Sequence, residues 1–391
     1  MKPQVLEGSQ AVAQAVGMCR PQVIAAYPIT PQTHIVERLS KLVADKQLEC
    51  EYVSVESEFS AASVVLGAAA SGVRAYTATS SQGILLMSEV LYNIAGLRIP
   101  AVLTCANRAV SAPLSIWNDQ QDSMAVRDSG WIQLYCASNQ EAVDTSIQAF
   151  RIAERCEIPV MVCVDGFVLT HTQEPVTLPD PAEVDAFLPP YSFERRLDTA
   201  HPLSHGMLVT PEYFTEVRYA HHQAMLKAQQ VIEEVDAEWA AISGRRCGGL
   251  IEATGPAEAE IGILAMGSVL GTLYDAAEEN PELAPVRILK LRAFRPFPVE
   301  ALKQAVQGLK ELVVLERALS PGAGGIVAAE VRAALSEMQS PPRVHAVAAG
   351  LGGRDIPLSM YERLIAVSQG KHAERFGIID VDKAKLADED R

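Results

Sequence analysis

Short apolar runs alternate with amphipathic helical stretches through the first half of this 391-residue chain. The runs predict strands at 23–27, 52–55, 74–78, 101–105, 133–136 and 160–164, and the stretches between them predict helices at 32–46, 58–70, 83–95 and 141–156. Such alternation is the signature of βαβ units closing on a mostly parallel sheet. In sheets of this kind ligands bind at the carboxyl ends of the strands. From about 175 to 211 the pattern gives way to a Pro-rich stretch containing Leu188-Pro189-Pro190 and His201-Pro202, expected to form an extended arm or long loop. A helical pattern over 212–243 follows and ends in Gly244-Arg245-Arg246-Cys247-Gly248-Gly249, a plausible domain boundary. The alternation then resumes, with strands predicted at 263–266, 286–291, 312–315 and 344–347 and helices at 269–279, 299–309, 326–338 and 358–367. The expected organisation is therefore a larger α/β domain over 1–245 and a smaller α/β domain over 246–391, ending in a charged tail.

Composition narrows the function. A formal charge of −15 with no Lys/Arg cluster argues against nucleic acid or an anionic membrane as partner. The seven cysteines are scattered with no C-x-x-C pair, so they read as core residues in a reducing compartment rather than zinc or cluster ligands. No signal-like segment opens the chain and no apolar run reaches membrane-spanning length, which favours a cytoplasmic protein.

Candidate chemistry gathers at the ends of the first four predicted strands. Tyr27-Pro28-Ile29-Thr30-Pro31 follows the first, with Thr30 expected as helix N-cap and Pro31 at the first helical position. Glu56-Ser57-Glu58, Thr79-Ser80-Ser81-Gln82-Gly83 and Asn107-Arg108 follow the next three. On one rim, Arg108 and the Thr30 hydroxyl would hold a carboxylate, with a glutamate at hand to manage a proton. Each piece alone also has an ordinary explanation: Glu58 as a helix-dipole acid behind an Ser57 cap, Arg108 as a solvated loop charge, and the Thr79–Gly83 run as a polar turn.

Tyr-Pro-Ile-Thr-Pro at 27–31, Val55-Glu56-Ser57-Glu58, Thr79-Ser80-Ser81-Gln82-Gly83 and Ala106-Asn107-Arg108 running through Ser111-Ala112-Pro113 to Trp117-Asn118-Asp119 resemble the α subunit of 2-oxoacid:ferredoxin oxidoreductases, most of all the multisubunit pyruvate type. Asp128-Ser129-Gly130-Trp131, Arg295-Pro296-Phe297-Pro298, Ser320-Pro321-Gly322-Ala323-Gly324-Gly325 and Gly350-Leu351-Gly352-Gly353-Arg354-Asp355 extend the resemblance over nearly the whole chain. It implies a thiamine-diphosphate-binding fold, with a pyrimidine-type domain followed by a transketolase C-terminal-like domain. It further implies oxidative decarboxylation of a 2-oxo acid to an acyl-CoA, with electrons passed through iron–sulfur clusters to ferredoxin. By matched position, Glu58 is the glutamate that hydrogen-bonds the cofactor's aminopyrimidine ring, and Thr30 and Arg108 bind the substrate carboxylate.

The family holds the diphosphate and its Mg2+ through a Gly-Asp-Gly sequence in a β subunit, and this chain has none. The [4Fe-4S] clusters belong to the β and ferredoxin-like δ subunits, with a γ subunit alongside and CoA as co-substrate. This chain is therefore expected to form half of an active site. One departure bears on substrate: Gln120 stands after Trp117-Asn118-Asp119 where the pyruvate-type motif has a His. Pyruvate is the first expectation, with an aromatic acid such as phenylglyoxylate, or a non-catalytic assembly role, as alternatives. The Gly322–Gly325 turn is read as a strand-to-helix connection, with phosphate binding as its alternative.

Overall fold

The structure is a computed structural model that describes residues 2–371 and 376–390. Its first unit opens with β1 (Gln4–Glu7), α1 (Gly8–Met18), β2 (Val23–Ala26), α2 (Thr33–Ala44), β3 (Glu51–Ser54), α3 (Glu58–Ala70) and β4 (Ala75–Thr79). It continues through α4 (Gln82–Leu86), α5 (Ser88–Gly96), β5 (Val102–Asn107), α6 (Gln121–Ala125), β6 (Ile132–Tyr135), α7 (Asn139–Cys156) and β7 (Val160–Asp165). β8 (Gln173–Val176), α8 (Pro181–Phe187) and the long α9 (Pro211–Ser243) complete it. The second unit holds β9 (Ile251–Thr254), β10 (Ile261–Ala265), α10 (Val269–Glu279), β11 (Val286–Leu291), β12 (Ala293–Arg295), α11 (Val299–Ala305), β13 (Glu311–Glu316), α12 (Ile326–Leu335), β14 (Arg343–Ala348), α13 (Met360–Ala366) and β15 (Gly377–Ile378).

Seven strands form the first sheet in the order β12-β6-β7-β5-β4-β2-β3. All neighbours in it run parallel except β12, which pairs antiparallel with β6 and so ties the second unit into the first sheet. Strands β5 (VLTCAN) and β7 (VMVCVD) are buried at every residue, because helices cover both faces of a parallel sheet. α2 buries Ile35, Val36, Leu39 and Leu42 on one stripe, as an amphipathic helix should. The second sheet runs β15-β14-β13-β10-β11-β9, with β9 its one antiparallel strand. α9 buries Ala228, Ile232, Val235 and Trp239 along one face and ends at Gly244, whose φ of 72° suits a residue without Cβ.

Three features depart from the sequence expectation. Thr30 is not an N-cap: α2 starts at Thr33, because Gln32 N–H closes a turn on Ile29 C=O (2.8 Å) before the helix begins. The Pro-rich stretch is not wholly irregular, since Asp180 and Glu183 form a capping box that starts α8 at Pro181. A two-stranded ribbon, β1 with β8, brings residues 4–7 against 173–176. Six cysteines are buried and Cys50 is half-buried, so they behave as packing residues. Among the described residues no helix is long and apolar enough to cross a membrane.

Candidate active site

The adjacent order β3-β2-β4-β5 sets the four strand ends side by side on one rim. Ser57 caps α3, its Oγ accepting from Ser60 N–H (3.2 Å), and this fixes Glu58 as the first helical residue. Glu58 is buried at 6% exposure, and among the described residues its carboxylate has no hydrogen-bond partner. It lies against the turn after β4. A Cβ on Gly83 would come within 2.8 Å of Glu58 Oε1 and 2.3 Å of Thr79 Oγ1, so only glycine lets the turn approach this closely. The same turn leaves Thr79 Oγ1, Ser80 Oγ and Gln82 Nε2 buried without partners. Leaving a buried polar group unpaired costs about 1–3 kcal/mol. These unpaired atoms, two hydroxyls and one amide donor, belong to the turn that packs on the free carboxylate through Gly83, a place suited to exchanging hydrogen bonds with a ligand.

Arg108, also 6% exposed, joins this lip to the turn after β2. Its Nη1 donates to Thr30 C=O at 2.8 Å, its Nε to Ser115 C=O at 3.1 Å, and its Nη2 faces Gln82 Oε1 at 3.4 Å. Burial lowers its pKa from the ordinary value and the Asp122 charge opposes that shift. Thr30 is exposed, so its hydroxyl is open to a ligand. The structure thus brings Thr30, Glu58, the Thr79–Gly83 turn and Arg108 together.

Residues not singled out from the sequence complete the arrangement. Gln32 braces the turn after β2, donating to Ala78 C=O (2.6 Å) and accepting from Ile29 N–H (3.2 Å). Asp122, wholly buried at the start of α6, accepts from Ser81 N–H and Arg108 N–H, both 2.9 Å, and from Asn107 Nδ2 and Ser123 N–H, both 2.8 Å. Burial pushes its carboxyl up to about 6 against the pull of those donors. The only signal for it was its place in the loop that carries the Trp117-Asn118-Asp119 motif.

Gln120 lies where the rim meets the second unit, since its partner Asp165 is the last residue of β7, opposite Asn107 at the end of β5. It is buried between the two units, its Nε2 donating to Asp165 Oδ1 and Met266 C=O, both 3.3 Å. Asp165 in turn accepts from Ser268 N–H (2.8 Å) and pairs with Arg317 (3.3 Å), so this loop carries the joint between units. The Gly322–Gly325 turn is likewise no free anion cradle. Glu316 already accepts from Val327 N–H (2.7 Å) and Ala328 N–H (3.0 Å) at the start of α12.

Comparison with known proteins matches residues 14–237 to the family described as "Pyruvate flavodoxin/ferredoxin oxidoreductase, thiamine diP-bdg" and residues 259–360 to "Pyruvate:ferredoxin oxidoreductase core domain II". The chain is 48% identical to the pyruvate synthase subunit PorA of Methanosarcina barkeri, over 93% of this chain and 92% of that protein. It is 40% identical to the ketoisovalerate oxidoreductase subunit VorA of Pyrococcus abyssi, over 91% of each. Its fold is similar, at TM-score 0.70 and 20% identity, to a 2-oxoglutarate:ferredoxin oxidoreductase from Magnetococcus marinus, over 93% of this chain and 65% of that one. It is also similar in fold, at TM-score 0.54 and 14% identity, to a split-gene transketolase, over 94% of this chain and 98% of that one, and the fold is a thiamine-diphosphate-binding α/β fold.

Proposed function

Because this chain belongs to the pyruvate flavodoxin/ferredoxin oxidoreductase family, as the α subunit of a 2-oxoacid:ferredoxin oxidoreductase, we propose that it supplies the pyrimidine-binding half of an active site that converts pyruvate and CoA to acetyl-CoA and CO2 and passes the electrons to ferredoxin. The observation that carries this reading is the Glu58 carboxylate, buried and unpartnered against Gly83, with three unpaired polar atoms in the turn that packs on it. Those residues fit a thiamine aminopyrimidine: a carboxylate for its ring nitrogen, and Thr79, Ser80 and Gln82 for further polar contacts. When bound, thiamine diphosphate supplies the electron sink on which a 2-oxo acid loses CO2.

The rest of the chemistry assigned to this chain is positioning and charge. Glu58 holds or accepts a proton at its carboxylate, in a site where burial keeps that exchange directed at the ligand. Arg108 is always charged, and with three N–H groups already engaged it has two of its five left for the substrate carboxylate. Thr30 offers its hydroxyl beside them. A lone arginine with a threonine suits a monocarboxylate; a second cation would suit a dicarboxylate.

Water exclusion must come from elsewhere, since Thr30 is exposed and Trp117 beside Arg108 is 52% exposed. We assign that cover to a β subunit, which would also hold the diphosphate, Mg2+ and a [4Fe-4S] cluster, with γ and ferredoxin-like δ subunits completing the assembly. The chain's surface supports a need for partners: Met207, Leu208, Tyr213 and Phe214, in the arm and at the start of α9, are 57–96% exposed. Large apolar side chains left exposed so close together in sequence suit a partner surface. We take residues 1–245 as the cofactor-binding domain and 246–391 as the smaller domain that braces it. Pyruvate is favoured by the likeness to PorA. Gln120, the departure that raised an aromatic acid as the alternative, donates to Asp165 Oδ1 and Met266 C=O, and phenylglyoxylate stays in the substrate comparison.

The test is anaerobic, CoA-dependent reduction of a viologen dye by the native complex containing this chain. Pyruvate, 2-oxoglutarate, 2-ketoisovalerate and phenylglyoxylate are compared in parallel. Pyruvate is expected to give the highest kcat/KM; a cluster-loaded complex that turns over none of them contradicts the reading.

A further inference from the structure

We infer that Asp122 is a positioning residue for both sides of the site: one buried carboxylate sets the cofactor-facing turn after β4 and the substrate-facing Arg108 after β5 at a fixed spacing. The inference rests on the function proposed above and adds a residue to it.

Strands β4 and β5 run parallel, with Thr79 opposite Cys105, so their two turns leave the sheet side by side. Asp122 Oδ2 sits between them and accepts from Ser81 N–H and Arg108 N–H, both at 2.9 Å. Its Oδ1 is held in turn by Asn107 Nδ2 and Ser123 N–H, both at 2.8 Å, so the carboxylate cannot swing. What it holds on the β4 side is a strained residue. Ser81 has φ 49° and ψ −122°, a conformation that residues with a Cβ adopt only when their surroundings impose it. Ser81 Oγ adds a second tie across the gap, to Ala109 C=O at 2.5 Å.

The consequences run directly into the site. Gln82, next to Ser81, faces Arg108 Nη2, and Gly83 beyond it packs on Glu58. Releasing Ser81 therefore shifts the wall behind Glu58, and releasing the Arg108 backbone shifts the guanidinium. A purely packing role is poorly served by an ionisable group here, since an apolar residue of similar size stabilises a core at least as well. An asparagine at 122 would keep the shape but turn an NH2 toward one pair of donors, leaving two N–H groups without an acceptor in either orientation.

The experiment uses the assembled complex carrying Asp122→Asn. Two constants are read: Kd of thiamine diphosphate, by titration of complex stripped of cofactor, and KM with kcat for pyruvate. Both Kd and KM are expected to rise roughly tenfold or more, because displacements near 1 Å carry penalties of that order and above. A role confined to stability would lower Tm and leave both constants unchanged well below it. Asp122→Glu, which keeps a carboxylate but displaces it by one methylene from its four donors, is expected to move both constants in the same direction by less, and decides the matter if Asp122→Asn does not assemble. Both constants within twofold of wild type in a folded variant, or a shift in only one of them, overturns the inference. A wild-type complex that turns over no acid refutes the proposed function instead, and the cofactor Kd still tests Asp122 there.

Discussion

Removing the Arg108 guanidinium probes the substrate side of the site most sharply. Three of its five N–H groups are engaged by Ser115 C=O, Thr30 C=O and Gln82 Oε1, which leaves two for a substrate carboxylate. Hydrogen bonds to charged partners contribute about 1.5–3 kcal/mol each. Two of them give ~3–6 kcal/mol, or roughly 10²–10⁴ in kcat/KM. The Thr30 and Ser115 carbonyls released by Arg108→Ala lie at an open loop where water can replace the lost donor, so the lower end applies, about 10². Arg108→Lys keeps the charge and loses the fork, and is expected to fall between, about tenfold down. The assay is initial-rate dye reduction over a pyruvate range, with cofactor saturation checked separately. A fall carried mainly by KM identifies ground-state binding; one carried by kcat identifies contacts that strengthen in the transition state. Arg108→Ala within fivefold of wild-type kcat/KM would refute the assignment of this residue to the carboxylate.

Gly83→Ala places a methyl group 2.3 Å from Thr79 Oγ1 and 2.8 Å from Glu58 Oε1, and the displaced carboxylate should weaken thiamine diphosphate binding about tenfold or more; an unchanged Kd in titration would contradict the packing described. Asp236 accepts from Cys247 N–H (2.8 Å), Gly249 N–H (3.1 Å), Gln148 and Arg246 where α9 hands over to the second unit. Burial pushes its pKa up, but the Arg292 charge and these donors outweigh it and hold it below the ordinary value. A lowered folded pKa means stability present at neutral pH and lost as pH falls through that value. Asp236→Asn should therefore cost about 3 kcal/mol at pH 7 and less near pH 3, read from urea midpoints of parent and variant at each pH; an equal cost at both would count against the ionised, multiply bonded carboxylate.

Much of the sheet was legible because buried parallel strands are contiguous apolar runs. Val160–Asp165 and Val286–Leu291 are found within a residue of where the pattern puts them. The β1–β8 ribbon was not, since QVLE and QEPV carry little apolar signal and pair across most of the first unit. β12 escaped for a related reason: three residues long, it is defined by its partner β6 in the other unit's sheet. The rim was legible through the strand-end positions of Thr30, Glu58 and Arg108. Asp122 was hidden because its role comes from contacts to turns 41 and 14 residues away. The bond from Gln120 to Met266 C=O was not legible, because spacing does not reveal which side of a loop meets the second unit.

Glu58 is proposed as this chain's pyrimidine-binding glutamate in a shared active site. Its most direct test is Glu58→Ala in the assembled, cluster-loaded complex, assayed for CoA-dependent dye reduction with pyruvate beside wild type. Intact assembly is expected, with activity lowered by about 10³-fold or more, the scale of a lost proton-handling group combined with a lost cofactor contact. Wild-type turnover in that variant would contradict this role of Glu58.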